Sequence, residues 1–184
     1  MKKITIIALT FFISVFTFAQ DKYLTKTGRV TFEASVPSFE EVKAKNESTT
    51  VILNSENGEF AALVFVKAFR FKNALMEEHF NENYAESDTY PKANFKGKIN
   101  DFNFEALNEN KQEMLYSGTI EFHGKTKTLD NLAITAFKDE DGNVVLSGIF
   151  KVSVDDFDIE IPKIVSSKLS KTVNILFDFI LKKK

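Results

Sequence analysis

Residues 141–154 read DGNVVLSGIFKVSV and carry the clearest structural signal in the chain. Apolar or small residues recur there at every second position: Val144, Leu146, Gly148, Phe150, Val152 and Val154. Successive side chains of a β-strand point to opposite faces, so this spacing places all of them on one face. Asp141, Gly142 and Asn143 before them are typical of a tight turn. The stretch therefore predicts a turn and the second strand of a β-hairpin.

The same period of two recurs along the chain after Gly28. Strands are predicted over residues 30–34, 49–53, 60–69, 93–99, 114–122, 129–137, 144–154 and 173–181. Asn57-Gly58, before the third of these, is typical of a two-residue hairpin turn. On the last strand Leu176 and Ile180 face away from the other apolar residues, which predicts that both of its faces are covered.

Only one stretch has a clear helical pattern. Met76, Phe80 and Tyr84 recur at every fourth position, which predicts a helix over residues 73–84, and residues 162–171 are a weaker candidate. Seven or eight evenly spaced strands with few crossovers and one or two short helices favour an all-β fold over any α/β fold. We expect an antiparallel barrel or sandwich that forms a single domain.

The composition of the 184 residues excludes several classes of function. Because the chain has no cysteine, disulfide frameworks, thiolate metal sites and cysteine nucleophiles are excluded. The 24 basic and 26 acidic residues give a net charge of −2, so no nucleic-acid partner is predicted. Twenty Phe against four Tyr and no Trp indicate a large apolar area with few polar groups. We therefore expect an unusually apolar interior.

The first 19 residues, MKKITIIALTFFISVFTFA, have the pattern of a secretory signal peptide. Lys2 and Lys3 precede the apolar run, which ends in small residues suited to cleavage. That run is 16 residues long, whereas a membrane span needs about 20. No later segment approaches that length, so no membrane span is predicted. The prediction is an exported, periplasmic protein whose folded domain covers residues 20–184.

The polar residues offer little catalytic chemistry. His79 and His123 are the only two histidines in the chain. Activation of a Ser or Thr nucleophile needs an imidazole within hydrogen-bond reach and a carboxylate that orients it, and the spacing supplies neither. The chain is therefore predicted not to be an enzyme.

One acidic turn resembles part of a calcium-binding loop. Asp139, Asp141 and Asn143 surround Gly142, but Phe150 stands where a bidentate Glu would close the site. A hairpin turn is therefore predicted here, and no metal site.

Three blocks of sequence resemble the motifs of one known family. The most specific is GTIEFHGKTK at residues 118–127, which is similar to the G-x-L-T-x-H-G-x-T-K/R stretch of the YceI-like periplasmic proteins. Upstream, MEEHF at 76–80 and YPKANF at 90–95 resemble H-L-x-S followed by Y-P-x-A-x-F. Downstream, GIFKV at 148–152 and DFDI at 156–159 resemble G-x-F-x-I leading to D-F-G-I. The blocks agree in order and spacing and span nearly the whole of residues 20–184.

The resemblance implies a lipocalin-like barrel of about eight strands that binds a long apolar lipid, such as a polyisoprenoid or a fatty chain. It implies no cofactor and no catalysis, and it implies that two copies can pair as a homodimer. Two departures stand out. Val154 and Asp155 occupy positions where many members carry Arg-Ser, and Asp158 replaces the usual Gly. An arginine-dependent contact to a lipid head group is therefore not carried over.

The predicted ligand site follows from strand parity and from the apolar side of the helix. The predicted wall comprises Phe32, Val64, Val66, Phe69, Leu75, Phe80, Phe95, Met114, Tyr116, Phe150, Ile175 and Phe177. Lys67, Arg70 and His79 are candidates for contact with a head group. The alternatives are rim charges for the two cations and a core histidine for His79. A stripe of Phe is also compatible with a barrel filled by its own side chains, in a structural or stress-response interaction module.

Overall fold

The structure is a computed structural model that describes residues 22–184, so the predicted signal peptide lies outside the described residues. It contains nine strands: β1 (Lys22–Ser35), β2 (Lys43–Asn54), β3 (Glu59–Phe65), β4 (Arg70–Phe71), β5 (Lys92–Ile99), β6 (Gln112–Phe122), β7 (Lys125–Lys138), β8 (Val144–Ser153) and β9 (Leu169–Lys183). Helix α1 (Ala74–His79) continues into a π-helical turn (Phe80–Tyr84). Short 3₁₀ turns cover Val66–Ala68, Phe104–Ala106 and Val154–Phe157.

Eight of the strands close into an antiparallel barrel. Their order is β1-β9-β8-β7-β6-β5-β3-β2, and β1 also pairs with β2, which completes the circle. The two-residue β4 pairs with the start of β2. The predicted all-β barrel is therefore confirmed, and the sandwich is excluded because a single closed sheet contains all of the strands.

Both predicted hairpins are present, but the turn between β2 and β3 is longer than the two residues expected, because β2 ends at Asn54 and β3 begins at Glu59. Gly58, between β2 and β3, has φ of 74°, and Gly142, between β7 and β8, has φ of 77°. Residues other than glycine rarely adopt such angles. At Gly58 a side chain is excluded for a second reason, because its Cβ would lie 2.5 Å from Cβ of Phe102.

One end of the barrel is shut by packed side chains. Leu53, Ile99 and Leu181 have no exposed surface there. The connection between β5 and β6 covers this end, and its Phe104 ring lies 5.2 Å from the ring of Tyr23, centroid to centroid. We call this the closed end. Its side chains are among the most completely buried of the hydrophobic core.

Several details of the sequence prediction were wrong. The α-helix is shorter than 73–84, because it ends at His79 and its last turn widens into a π-helix. Residues 163–168 form turns rather than a helix. The third strand ends at Phe65 rather than at residue 69. The outer face of β9 is open, since Leu176 is 38% and Ile180 is 50% exposed.

Candidate functional site

A large cavity occupies the end of the barrel opposite the closed end. Its volume is about 540 Å³, and exposed residues such as His79 and Lys168 form part of its lining, so it opens at the barrel rim. A smaller chamber of about 70 Å³ adjoins it on the inner side. The two spaces share five wall residues: Val30, Val64, Ala93, Ile120 and Ile175. Together they form an apolar space that runs from the rim toward the closed end.

Four phenyl rings pack into one wall of the large cavity. The ring centroid of Phe32 on β1 lies 5.2 Å from that of Phe69, 5.5 Å from that of Phe71 and 5.0 Å from that of Phe80. Ala44 of β2 pairs with both Phe32 and Phe71, so its small side chain lets the two rings approach. Such contacts contribute about 0.5–1.5 kcal/mol each beyond the burial of area.

Helix α1 is held against the rim by a hydrogen-bonded carboxylate. The backbone N–H of Phe71 donates to Glu77 at 3.1 Å, and Nη1 of Arg70 donates to the same carboxylate at 2.7 Å. The Asn73 side chain caps the helix by accepting from the backbone N–H groups of Leu75 and Met76. This anchoring positions Met76, His79 and Phe80 on the cavity lining.

The inner chamber stays open because two phenyl rings lie against glycines of the barrel wall. A Cβ on Gly148 would lie 2.6 Å from Cζ of Phe177, its cross-strand partner. A Cβ on Gly97 would lie 2.5 Å from Cζ of Phe95. Real Cβ atoms do not approach that closely, so each ring uses space that a side chain would otherwise fill. Glycine at these two wall positions therefore allows the barrel to contain many Phe rings and still keep an open chamber.

Tyr116 brings a polar group into this apolar chamber. Its ring centroid lies 5.8 Å from those of Phe60 and Phe95 and 6.0 Å from that of Phe177. Its hydroxyl is buried and has no hydrogen-bond partner among residues 22–184. Burial raises the pKa of the Tyr116 phenol above its usual range, so the group stays neutral. An unpaired buried hydroxyl of this kind costs about 1–3 kcal/mol.

Most of the predicted wall residues line the two spaces. Those that do are Phe32, Val64, Phe69, Phe80, Phe95, Tyr116, Phe150, Ile175 and Phe177. Three others do not line either space. Val66 is fully buried in a 3₁₀ turn, because β3 ends one residue earlier and the alternation stops. Leu75 is 56% exposed on the far side of α1, and Met114 packs on the core near the closed end.

The two predicted cations also lie outside the cavity lining. Lys67 forms an ion pair with Asp88, and Arg70 with Glu77. Of the three predicted head-group contacts, only His79 lines the cavity, where it is exposed at the rim. Lys168 is a cation on the lining that sequence reasoning missed.

The missed residues fall into three groups, and the first is formed by Met76 and Tyr84, which follow the predicted helical pattern. Phe122 and Val173 follow the strand alternation, so parity alone could have included them. Others lie on connections where no periodicity operates, and for these the sequence holds no signal: Phe39, Phe157, Ile159, Ile161 and Val165.

The remaining polar candidates have structural partners. His123 lies at the bend between β6 and β7 with φ of 49°, and its Nδ1 is 2.9 Å from the carbonyl oxygen of Phe157. The Asp139 carboxylate accepts hydrogen bonds from the side chain and backbone of Asn143 and from the backbone of Asp141, which lowers the pKa of Asp139. This acidic loop is therefore the hairpin turn that the sequence predicts. No group of three metal-ligating side chains occurs within residues 22–184.

Solved structures with the same architecture include proteins from three bacteria. A polyisoprenoid-binding domain from Saccharophagus degradans, implicated in plant cell wall breakdown, matches with a TM-score of 0.75 at 13% identity, over 89% of this chain and 98% of that one. BcnA from Burkholderia cenocepacia matches with a TM-score of 0.66 at 14% identity, over 84% of this chain and 96% of that one. A YceI protein from Campylobacter jejuni matches with a TM-score of 0.60 at 14% identity, over 81% of this chain and 88% of that one.

These similarities establish the fold. The chain has the closed antiparallel barrel of the YceI-like proteins, which is the fold that the three sequence blocks predict. No family model and no curated protein matches the sequence. No helix in the described part of the chain has the length and apolar character needed to cross a membrane.

Proposed function

We propose that this chain is a YceI-like protein that binds and carries a long apolar lipid, a polyisoprenoid or a fatty chain, inside its barrel. The observation that carries the proposal is the apolar cavity of about 540 Å³ that opens at the rim and adjoins the inner chamber. A barrel that served only as a scaffold would be expected to fill this space with its own side chains. The name of the Saccharophagus degradans neighbour supports the same class of ligand.

The shape of the site favours binding by burial. A lipid chain that loses a few hundred Å² of contact with water gains about 25 cal/mol per Å², or several kcal/mol before the cost of ordering the chain. The wall consists mainly of phenyl rings and branched aliphatic side chains, which offer few directional contacts. We therefore expect the site to select ligands by the length and width of their chains rather than by particular chemical groups. We expect no chemical change in the ligand.

The proposed location is the periplasm, and the proposed state of the protein is a processed chain that begins near residue 20. The support is the sequence of the first 19 residues, with its two lysines, apolar run and small-residue end.

Native mass spectrometry of protein purified without detergent tests the proposal, followed by solvent extraction of whatever is released. We expect a co-purifying isoprenoid or long-chain lipid at about one per chain. An empty protein that also fails to bind added isoprenoids and fatty amides would contradict the proposal and favour the interaction module.

A pair of matched variants locates the ligand. Ala93 lines both spaces, so Ala93→Phe should fill part of the apolar interior and reduce the bound lipid. Ala133 lies exposed on β7, so Ala133→Phe should leave loading unchanged. Equal loading of both variants would place the lipid outside the barrel.

A further inference from the structure

Three exposed apolar side chains lie on the segments that border the opening of the cavity. Phe39 is 47% exposed on the connection between β1 and β2, and Leu75 is 56% exposed on α1. Ile164 is 85% exposed on the connection between β8 and β9. We call these three residues the rim tips. Each is carried by a different segment, so the sequence does not place them together.

The contacts between these segments place the rim tips around one opening. Asn73, the cap of α1, donates from its side chain to Glu40 at 3.3 Å, next to Phe39. Ser35 at the end of β1, which leads into the connection that carries Phe39, pairs with Leu169 at the start of β9, which follows the connection that carries Ile164. Both connections and α1 contribute to the cavity lining. The apolar tips therefore belong to the same edge as the cavity mouth.

The segment that carries Ile164 is positively charged. Residues 160–171 contain three lysines and a single acidic residue, Glu160. Lys171 is neutralised by Asp155 at 3.2 Å, but Lys163 and Lys168 have no ion-pair partner among the described residues. A protruding apolar side chain flanked by free lysines is complementary to an anionic lipid surface, which offers phosphates above hydrocarbon.

We propose that the rim tips and Lys163 form a docking surface for a bilayer that contains anionic lipid, so that the cavity mouth faces the membrane. This inference rests on the proposed function, because it gives the lipid a route between bilayer and cavity that avoids water. Three separate protruding side chains suit the soft interface of a bilayer, which they can enter individually. A protein partner would instead be expected to meet a continuous apolar patch.

Because the chain has no tryptophan, a single introduced one reports on docking. The first variant is Ile164→Trp. Its control is Ile180→Trp, because Ile180 is 50% exposed on β9 near the closed end. Vesicles of phosphatidylcholine and phosphatidylglycerol, with or without brominated acyl chains, are added to the processed protein. We expect a blue shift and bromine quenching at position 164 and neither at position 180. Equal signals at the two positions, or none at position 164, would overturn the proposal.

Charge and apolarity are then tested separately by vesicle co-sedimentation. Ile164→Asp should weaken vesicle binding by about tenfold or more, while Ile180→Asp should leave it unchanged. Lys163→Gln should weaken binding to the anionic vesicles by about fivefold, and Lys98→Gln, on β5, should not. Wild-type affinity in the Ile164→Asp variant would contradict docking.

Failure of the docking proposal and failure of the proposed function give different results. Neither Ile164 nor Lys163 lines the cavity, so their variants should retain the co-purified lipid. If the protein carries lipid but does not bind vesicles, the docking proposal alone is refuted. A protein that docks on vesicles but is always empty refutes lipid carriage. If Ile164→Asp instead splits a dimer in gel filtration without vesicles, the rim is a contact between two copies and the bilayer proposal is wrong.

Discussion

The closed end and the open end of the barrel differ in what fills the space between the strands. At the closed end Leu53, Ile99 and Leu181 are fully buried, and the connection between β5 and β6 covers them. At the open end the same strands surround a cavity of about 540 Å³ whose rim carries exposed apolar residues. The difference indicates that stability is concentrated at one end and that the other is left hollow for binding.

The largest expected effect comes from matched truncations at the two ends. Leu53→Ala at the closed end should lower the free energy of unfolding by about 2–5 kcal/mol, because it leaves a void in a packed core. Leu169→Ala at the cavity mouth should cost about 1 kcal/mol or less, since its side chain already borders open space. Urea unfolding of the lipid-free protein measures both values. Similar losses would contradict the division between the two ends.

The next effect concerns the glycines that keep the inner chamber open. Gly148→Ala should push the Phe177 ring inward and cost about 1–3 kcal/mol from overpacking. The displaced ring should also shorten the longest lipid that the protein retains, as read by native mass spectrometry. The double variant Gly148→Ala, Phe177→Leu removes the contact with the ring and leaves only the Ala133 carbonyl oxygen close to the new Cβ, at 3.1 Å, so it should recover most of the stability. A double variant as unstable as the single one would show that the ring is not the cause.

The closed end and the barrel wall were the parts of the structure that the sequence predicted best. Alternation on β8 and β9 identified Phe150, Ile175 and Phe177 as inward-facing, because a strand in a closed sheet has one inner face and a fixed period. The hairpin turns at Gly58 and Gly142 were equally clear, since both require φ angles that favour glycine.

The residues of the rim could not be predicted from the sequence. Phe39, Ile161 and Val165 reach the cavity from connections, where the direction of a side chain depends on tertiary contacts rather than on a period. Lys67 and Arg70 were predicted as head-group contacts because these cations cluster just before the helix, and the structure pairs each with a carboxylate further along the chain. Neither pairing follows a strand or helix period: Asp88 lies 21 residues after Lys67, and the turn between β4 and α1 brings Glu77 back to Arg70.

A smaller effect tests the polar group of the inner chamber. Tyr116→Phe removes a buried hydroxyl that has no partner among residues 22–184, so it should raise the free energy of unfolding by about 1 kcal/mol. Thermal unfolding of the lipid-free protein measures the change. A loss of stability would show that the hydroxyl is hydrogen-bonded in solution. Tyr90→Phe serves as the control, because Tyr90 lies at the rim against His123 and is only partly buried.

The smallest effect is a pH dependence at the open end. Nζ of Lys127 lies 2.7 Å from Oδ2 of Asp156, and the backbone N–H of Ser153 donates to the same oxygen. Both contacts favour the carboxylate, so the pKa of Asp156 is lowered. A carboxyl whose pKa is lower in the folded state stabilises the fold above its unfolded pKa of about 4, and this stabilisation disappears as the pH falls through the folded pKa.

Asp156→Asn should therefore cost about 0.5–1 kcal/mol at pH 7, a small value because both partners are partly exposed to solvent. The difference from wild type should shrink below pH 4 and vanish once Asp156 is protonated in the folded protein. Urea unfolding of both proteins at pH 7, 5 and 3 measures this. Because Asp156 lies in the turn that carries Phe157 to the cavity lining, the loss should also loosen the open end, with faster amide exchange there than at the closed end. A deficit that stays constant from pH 7 to 3 would mean that the side chain acts through packing rather than through its charge.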